Sequence, residues 1–114
     1  MSGGVSIHAV DVASGLPPAG MRVELHRLAP EPGPVTAGTI GPDGAWLPED
    51  RSVGRDLPAG LYEAVFHIGA WFAGRGTASF LDTVPFRFRI AAADRHCHLP
   101  IKFTPWGYSL FRGA

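Results

Sequence analysis

Hydrophobic and polar residues alternate along most of this chain, which is the pattern of a β-strand with one buried face. The alternation is cleanest over residues 21–28, where Met21, Val23 and Leu25 share one face and polar side chains share the other. This pattern predicts a half-buried antiparallel strand. A looser alternation over residues 5–12 predicts a first strand, with the odd-numbered apolar residues 5, 7 and 9 on one face.

Turn-forming residues separate several further segments of the same kind. Glycine and proline dominate residues 29–34 and 41–44 and predict loops there, and residues 49–60 are polar or turn-forming. A single helical turn fits residues 69–76, where glycines on both sides keep it short. Further strands are predicted over residues 35–40, 61–68, 83–90, 98–103 and 108–111.

The composition agrees with many short elements joined by frequent turns. The 114 residues include 15 Gly and 11 Pro, yet 46% are hydrophobic and 11% are aromatic. A chain with this much apolar surface can bury enough of it to fold. Seven to eight short strands with one short helix predict an all-β, two-sheet β-sandwich, with residues 1–114 forming a single domain.

The charge balance removes several classes of partner. Ten Lys and Arg balance ten Asp and Glu, so we expect no nucleic acid as a partner, since binding to phosphates needs a basic surface. Near-zero net charge also permits self-association. No apolar run is long enough to span a membrane, and no secretory leader is recognisable. The single cysteine, Cys97, allows no internal disulfide, and we expect a cytoplasmic protein without membrane contact.

The histidines are the first candidates for chemistry. His96 and His98 form an H-x-H pair, and in an extended strand two such side chains project on the same face, about 6–7 Å apart. The pair could act in general base chemistry, bind a metal if His8 or His67 supplied a third ligand, or simply face solvent. The pleat places Cys97 on the opposite face, which disfavours a Cys–His nucleophile.

Both ends of the chain carry recognisable motifs. The N-terminal IHAVDVASGLPPAGMRVELHRL resembles the opening of the 5-hydroxyisourate hydrolases, the enzymatic branch of the transthyretin-like family. The C-terminal HCHLPIKFTPWGYSLFRGA resembles the ending of that family, and GPDGAWLPED and FLDTVPFRFRIAAADRH follow the same order and spacing between them. The resemblance covers essentially the whole chain.

The resemblance implies a fold, an assembly and a reaction. The fold is a transthyretin-like sandwich that assembles as a homotetramer, a dimer of dimers, with ligand sites in the clefts between dimers. The reaction is the hydrolytic ring opening of 5-hydroxyisourate in urate breakdown, with no metal and no cofactor. The implied catalytic residues are His8 and His98, and the implied substrate contacts include His96 and Arg112.

Three departures from the family pattern concern the substrate-binding positions. Ala45 stands where the enzymes have an arginine after the Asp-Gly turn, Phe111 replaces a tyrosine, and Ala114 replaces the terminal serine. Each change replaces a polar group with an apolar one, which favours a less polar substrate, such as an N-methylated hydroxyisourate. The alternative is a non-catalytic protein that binds a small heterocyclic ligand in the same cleft.

Overall fold

The computed structural model describes residues 3–92 and 95–113, and these residues form two β-sheets with one short helix between strands. The predicted β-sandwich of seven to eight strands is thereby confirmed. The strands are β1 (Val5–Asp11), β2 (Arg22–Ala29), β3 (Gly33–Ile40), β4 (Trp46–Pro48), β5 (Gly60–Phe66), β6 (Val84–Ile90), β7 (Cys97–Phe103) and β8 (Tyr108–Leu110). The helix α1 spans Ile68–Gly74, and a 3₁₀ helix spans Arg51–Gly54.

The two sheets differ in size and in the direction of their strands. The larger sheet has the order β4-β3-β2-β5-β6 and is antiparallel throughout. The smaller sheet has the order β1-β7-β8, and its central pair, β1 with β7, is parallel. The small sheet therefore joins the first strand of the chain to its penultimate strand.

The sequence pattern did not predict the short elements after residue 45, and it made the loop over residues 29–34 too long, since β2 ends at Ala29 and β3 begins at Gly33. β4 contains three residues, and the 3₁₀ helix lies within the stretch predicted only as polar and turn-forming. The Asp50 side chain caps this helix by accepting a hydrogen bond from the backbone N–H of Ser52. Such short elements have no room for a periodic signal.

The core lies between the sheets and follows from the alternation. In β1, Val5, Ile7 and Ala9 are buried, and in β2, Val23 and Leu25 are buried, as predicted. These side chains meet the inward faces of the remaining strands and of α1. The largest of the other fully buried side chains are Tyr62, Phe66, Phe103, Met21, Ile40, Ile68, Leu99 and Ile101. Within the described part of the chain, no helix is long and apolar enough to cross a membrane.

Candidate functional site

The outer face of the small sheet carries a cluster of polar side chains. Because side chains alternate along a strand, Ser6 and His8 point away from the core that Ile7 enters. On β7, His98 likewise points away from the core. The parallel register pairs Ser6 with His98, so residues from opposite ends of the chain meet on one surface.

The Ser6 hydroxyl lies between two imidazoles. Its Oγ is 2.7 Å from Nε2 of His96 and 2.7 Å from Nδ1 of His98. Both rings therefore lie on the same side of the sheet, which confirms the geometry predicted from the H-x-H spacing. Ser6 was missed as a site residue. The local signal that could have identified it is its position two residues before His8 on the same face of a strand.

The backbone carbonyl of Gly3 holds the ring of His96 in place. Nδ1 of His96 lies 3.0 Å from the carbonyl oxygen of Gly3. A carbonyl oxygen only accepts hydrogen bonds, so Nδ1 of His96 carries a proton and donates it. The ring of His96 is thereby fixed between the Gly3 carbonyl and the Ser6 hydroxyl.

A tight turn holds the ring of His8. Its Nε2 donates to the carbonyl oxygen of Asp43 at 3.0 Å, and the backbone of His8 forms an isolated antiparallel bridge with Ala45. The N–H of Ala9 donates to the carbonyl of Gly44 at 2.9 Å and ties the same turn to β1. The turn 41–44 predicted from glycine and proline therefore lies directly against the first-strand histidine.

The electrostatic environment disfavours a charged ring at His98. Partial burial lowers the pKa of His98, and the neighbouring His8 and His96 lower this pKa further because two positive rings repel. A lower pKa keeps His98 neutral, and so able to accept a proton, at pH values where an ordinary histidine begins to charge.

The C-terminal segment closes against the same strand. The N–H of Gly113 donates to the carbonyl of His98 at 2.7 Å, and Nη2 of Arg112 reaches the carbonyl of His96 at 3.5 Å. The Arg112 guanidinium also lines a cavity of about 230 Å³ with Arg89 and Cys97. Arg112 thus contacts the backbone beside the histidines, whereas the rings of His96 and His98 meet at the Ser6 hydroxyl.

Two further predicted substrate contacts lie at the C-terminus. Phe111 follows β8 and is 45% exposed, so its ring is available to a ligand or to another copy of the chain. Ala114 lies outside the described residues.

The metal alternative gains no support from the described geometry. Within residues 3–92 and 95–113, no group of three or more His, Cys, Asp or Glu side chains is placed to hold a metal ion. His67, one of the two possible third ligands, instead donates to the Glu24 carboxylate on β2 of the larger sheet, and His26 donates to the same carboxylate at 3.0 Å.

Cys97 does not belong to the cluster. Its side chain is buried on the core side of β7, and burial raises the pKa of its thiol, with only partial opposition from Arg112. A buried neutral thiol is a poor nucleophile. Cys97 therefore lies on the face opposite to the histidine rings, as the alternation of the strand predicted.

Known proteins are similar to this chain in sequence. A family model described as the HIUase/Transthyretin family matches residues 5–113. The 5-hydroxyisourate hydrolase of Deinococcus radiodurans is 40% identical over 123 residues, which cover 100% of both chains.

Solved structures of two related proteins have a similar fold. The 5-hydroxyisourate hydrolase of Klebsiella pneumoniae superposes with a TM-score of 0.81 at 30% identity, covering 98% of this chain and 94% of that chain. An (S)-allantoin synthase superposes with a TM-score of 0.88 at 36% identity. That match covers 99% of this chain but 44% of the synthase chain, so the synthase contains a large part with no counterpart here.

Proposed function

This chain belongs to the HIUase/transthyretin family, and on that premise we propose that it hydrolyses 5-hydroxyisourate, or a close N-methylated analogue, in urate catabolism. The observation that carries the proposal is the cluster on the small sheet. His8 and His98 occupy neighbouring strands of one outward face, and His98 is held by the Ser6 hydroxyl. Two imidazoles on one accessible surface suit the activation of water.

In the proposed reaction, His98 acts as the general base and His8 positions the water. Nε2 of His98 takes a proton from water while the water oxygen bonds to a carbonyl carbon of the substrate ring. The ring carbon–nitrogen bond then breaks, and the leaving nitrogen receives the proton held by His98. One water is consumed, and both imidazoles return to their starting state.

The substrate contacts explain the proposed preference for a less polar ring. Ala45 bridges to His8, so its methyl group borders the same surface where the family pattern has a guanidinium. Phe111 and Ala114 stand where the family pattern has hydroxyl groups, while His96 and Arg112 match that pattern. A ring that carries methyl groups on nitrogen offers fewer hydrogen bonds and loses less from these replacements.

We also propose a homotetramer, a dimer of dimers, in the cytoplasm. Phe80 is 76% exposed and Trp106 is 72% exposed, and the N–H of Phe80 donates to the carbonyl of Pro105 beside Trp106. Two large apolar side chains so close together favour burial against another copy of the chain. A single buried thiol suits a reducing compartment.

The test is turnover of freshly generated 5-hydroxyisourate, with and without N-methyl groups, followed by ultraviolet absorbance against spontaneous decay. We expect acceleration by the parent chain and a loss of about 100-fold or more in His98→Gln and His8→Gln. His26→Gln on the larger sheet is the matched control and should keep the parent rate.

Absence of acceleration with every substrate would overturn the proposed reaction. If His8→Gln and His98→Gln also bound the heterocycle as tightly as the parent, the chain would be a ligand-binding protein instead. Analytical ultracentrifugation tests the tetramer separately.

A further inference from the structure

The Ser6 hydroxyl links the two histidines of the H-x-H pair. We propose that Ser6 is a positioning residue that fixes the proton of neutral His98 on Nδ1 and so leaves Nε2 free to act as the base. This inference rests on the proposed hydrolytic function for its catalytic consequence. The position of the proton itself is set by four groups, the Gly3 carbonyl, the two imidazoles and the Ser6 hydroxyl.

The direction of the hydrogen bonds is set at the Gly3 end. The Gly3 carbonyl accepts from Nδ1 of His96, as described above. When His96 is neutral, only one of its nitrogens carries a proton, so its Nε2 is left as an acceptor. The group next to that nitrogen, at 2.7 Å, is the Ser6 hydroxyl, which must therefore donate to it.

The single proton of Ser6 is then committed. A hydroxyl has one proton to donate, while its oxygen can accept through two lone pairs. Because the Ser6 proton points at His96, the contact with His98 at 2.7 Å requires Nδ1 of His98 to donate. Neutral His98 then carries its proton on Nδ1, and its Nε2 has a free lone pair.

The free nitrogen of His98 faces an accessible region. His98 is partly exposed, and among the described residues no protein group bonds to its Nε2. Among the described residues, the buried side-chain nitrogens without a hydrogen-bond partner belong to Arg27 and Trp46. Nε2 of His98 also has no partner in this part of the chain but is not one of these buried atoms, so it is exposed to solvent. The series of hydrogen bonds that begins at the Gly3 carbonyl thus ends at a lone pair on Nε2 of His98 that is open to water.

The fixed tautomer matters because an unsupported imidazole can place its proton on either nitrogen. Where a neighbouring group orients a catalytic imidazole, its loss costs activity by leaving the wrong tautomer populated. Outer groups that orient a metal-ligating histidine change activity by about 10- to 100-fold, and we expect an effect of the same size from Ser6. Ser6 also ties the ring to the neighbouring strand and so fixes its orientation.

The test uses two variants of the same shape. Ser6→Thr keeps the hydroxyl, and Ser6→Val replaces it with a methyl group at nearly constant volume. Ser109→Ala, an exposed serine on β8 of the same sheet, is the control. Histidine ring ¹⁵N chemical shifts, measured at alkaline pH where both imidazoles of the pair are neutral, report which nitrogen carries the proton, and steady-state kinetics report the consequence.

We expect the parent, Ser6→Thr and Ser109→Ala to show a protonated Nδ1 and a bare Nε2 at His98. Ser6→Val should show a mixture of tautomers and a kcat about 10- to 100-fold lower, with KM changed little. An unchanged tautomer in Ser6→Val, or the bare nitrogen found at Nδ1 in the parent, would overturn the inference.

The two proposals fail separately. If the parent shows the stated tautomer but turns over no hydroxyisourate, the reaction is wrong and the role of Ser6 in fixing the proton stands. If the parent turns over substrate and Ser6→Val matches it in both measurements, the reaction stands and the role of Ser6 is wrong.

Discussion

Gly44 lies so close to His8 that a side chain at position 44 would collide with the imidazole. A Cβ built on Gly44 would stand 2.8 Å from both Cε1 and Nε2 of the His8 ring. The backbone of Gly44 also has a φ of 93°, which only glycine adopts readily. The turn after β3 thus depends on glycine for two separate reasons, its backbone conformation and the space that the His8 ring and the carbonyl oxygen of Ala9 occupy.

Gly44→Ala should therefore reduce activity more than its effect on stability explains. We expect a stability loss of about 1–3 kcal/mol from the positive φ. Displacement of the His8 ring should lower kcat/KM by about 100-fold in addition. Chemical denaturation and turnover of hydroxyisourate measure the two effects.

Gly20→Ala separates the two causes. Gly20 has a φ of 89°, and a Cβ there would meet nothing within 4 Å. This variant should lose only the stability that depends on the positive φ, less than Gly44→Ala loses, and should keep the parent activity. Equal activity losses in Gly20→Ala and Gly44→Ala would show that contact with His8 is irrelevant.

Ala45→Arg should restore activity toward unmethylated 5-hydroxyisourate. Directly opposed residues of an antiparallel bridge project on the same face, so a guanidinium at position 45 would extend beside His8. A single positioned donor is worth about 100- to 1,000-fold in rate, and we expect a gain of at least about 10-fold. Parallel assays with methylated and unmethylated substrate measure it.

The control for the added charge is Thr39→Arg, at an exposed position on β3. That variant should leave both rates unchanged. A fall in the rate for both substrates in Ala45→Arg would contradict the idea that this site differs from the family site mainly by lacking the arginine at position 45.

The parts of the molecule that could be predicted from sequence are those set by neighbours along the chain. The alternation over residues 21–28 located β2 to within one residue at each end, and the two-residue spacing of His96 and His98 placed both rings on one face. In each case the geometry repeats every two residues and needs no information about the rest of the fold.

The role of Ser6 could not be predicted in the same way. It depends on the parallel register of β1 with β7, which pairs Ser6 with a residue 92 positions away. No periodic signal in either strand encodes which distant strand lies beside it, and a shift of one residue would point Ser6 and His98 to opposite faces. The H-x-H spacing made His96 and His98 candidates and the family resemblance implied a role for His98, but only the strand pairing brings the Ser6 hydroxyl between the two rings.

His98 should titrate below the value of about 6.5 that is usual for histidine. Burial and the charges of His8 and His96 all disfavour its protonated form, so more than half of the molecules carry neutral His98 at pH 6.5. His8→Gln removes one repelling charge and should raise the midpoint, although burial still keeps it below 6.5. Ring ¹H NMR against pH measures both midpoints.

The same shift predicts the direction of pH-dependent stability. The unfolded chain, with an ordinary His98, binds more protons near pH 6 than the folded chain, so this residue lowers stability as pH falls through that range. Titration of His98 at or above pH 6.5, or a lower midpoint in His8→Gln, would contradict the assigned environment.

Cys97→Ala should leave turnover within about twofold of the parent, since the thiol lies on the core side of β7 and takes no part in the proposed reaction. Loss of the buried sulfur should cost about 1 kcal/mol of stability. In the native parent, the raised thiol pKa and burial should make alkylation by iodoacetamide slow at pH 8. Rapid alkylation with loss of activity would place the thiol near the substrate.

Glu24→Gln should destabilise the fold at neutral pH and not in acid. The Glu24 carboxylate accepts hydrogen bonds from His67 and His26, and these bonds lower the pKa of the carboxyl. A lowered carboxyl pKa adds stability that is fully present above the ordinary value of 4.5 and is lost as pH falls through the folded value. We expect a difference of about 1 kcal/mol at pH 7 that shrinks as the pH falls below 4.5, measured by urea unfolding. Glu31→Gln, in an exposed loop, is the control and should match the parent at both pH values. A deficit in Glu24→Gln that stays constant with pH would show that the histidine contacts do not depend on the charge of the carboxylate.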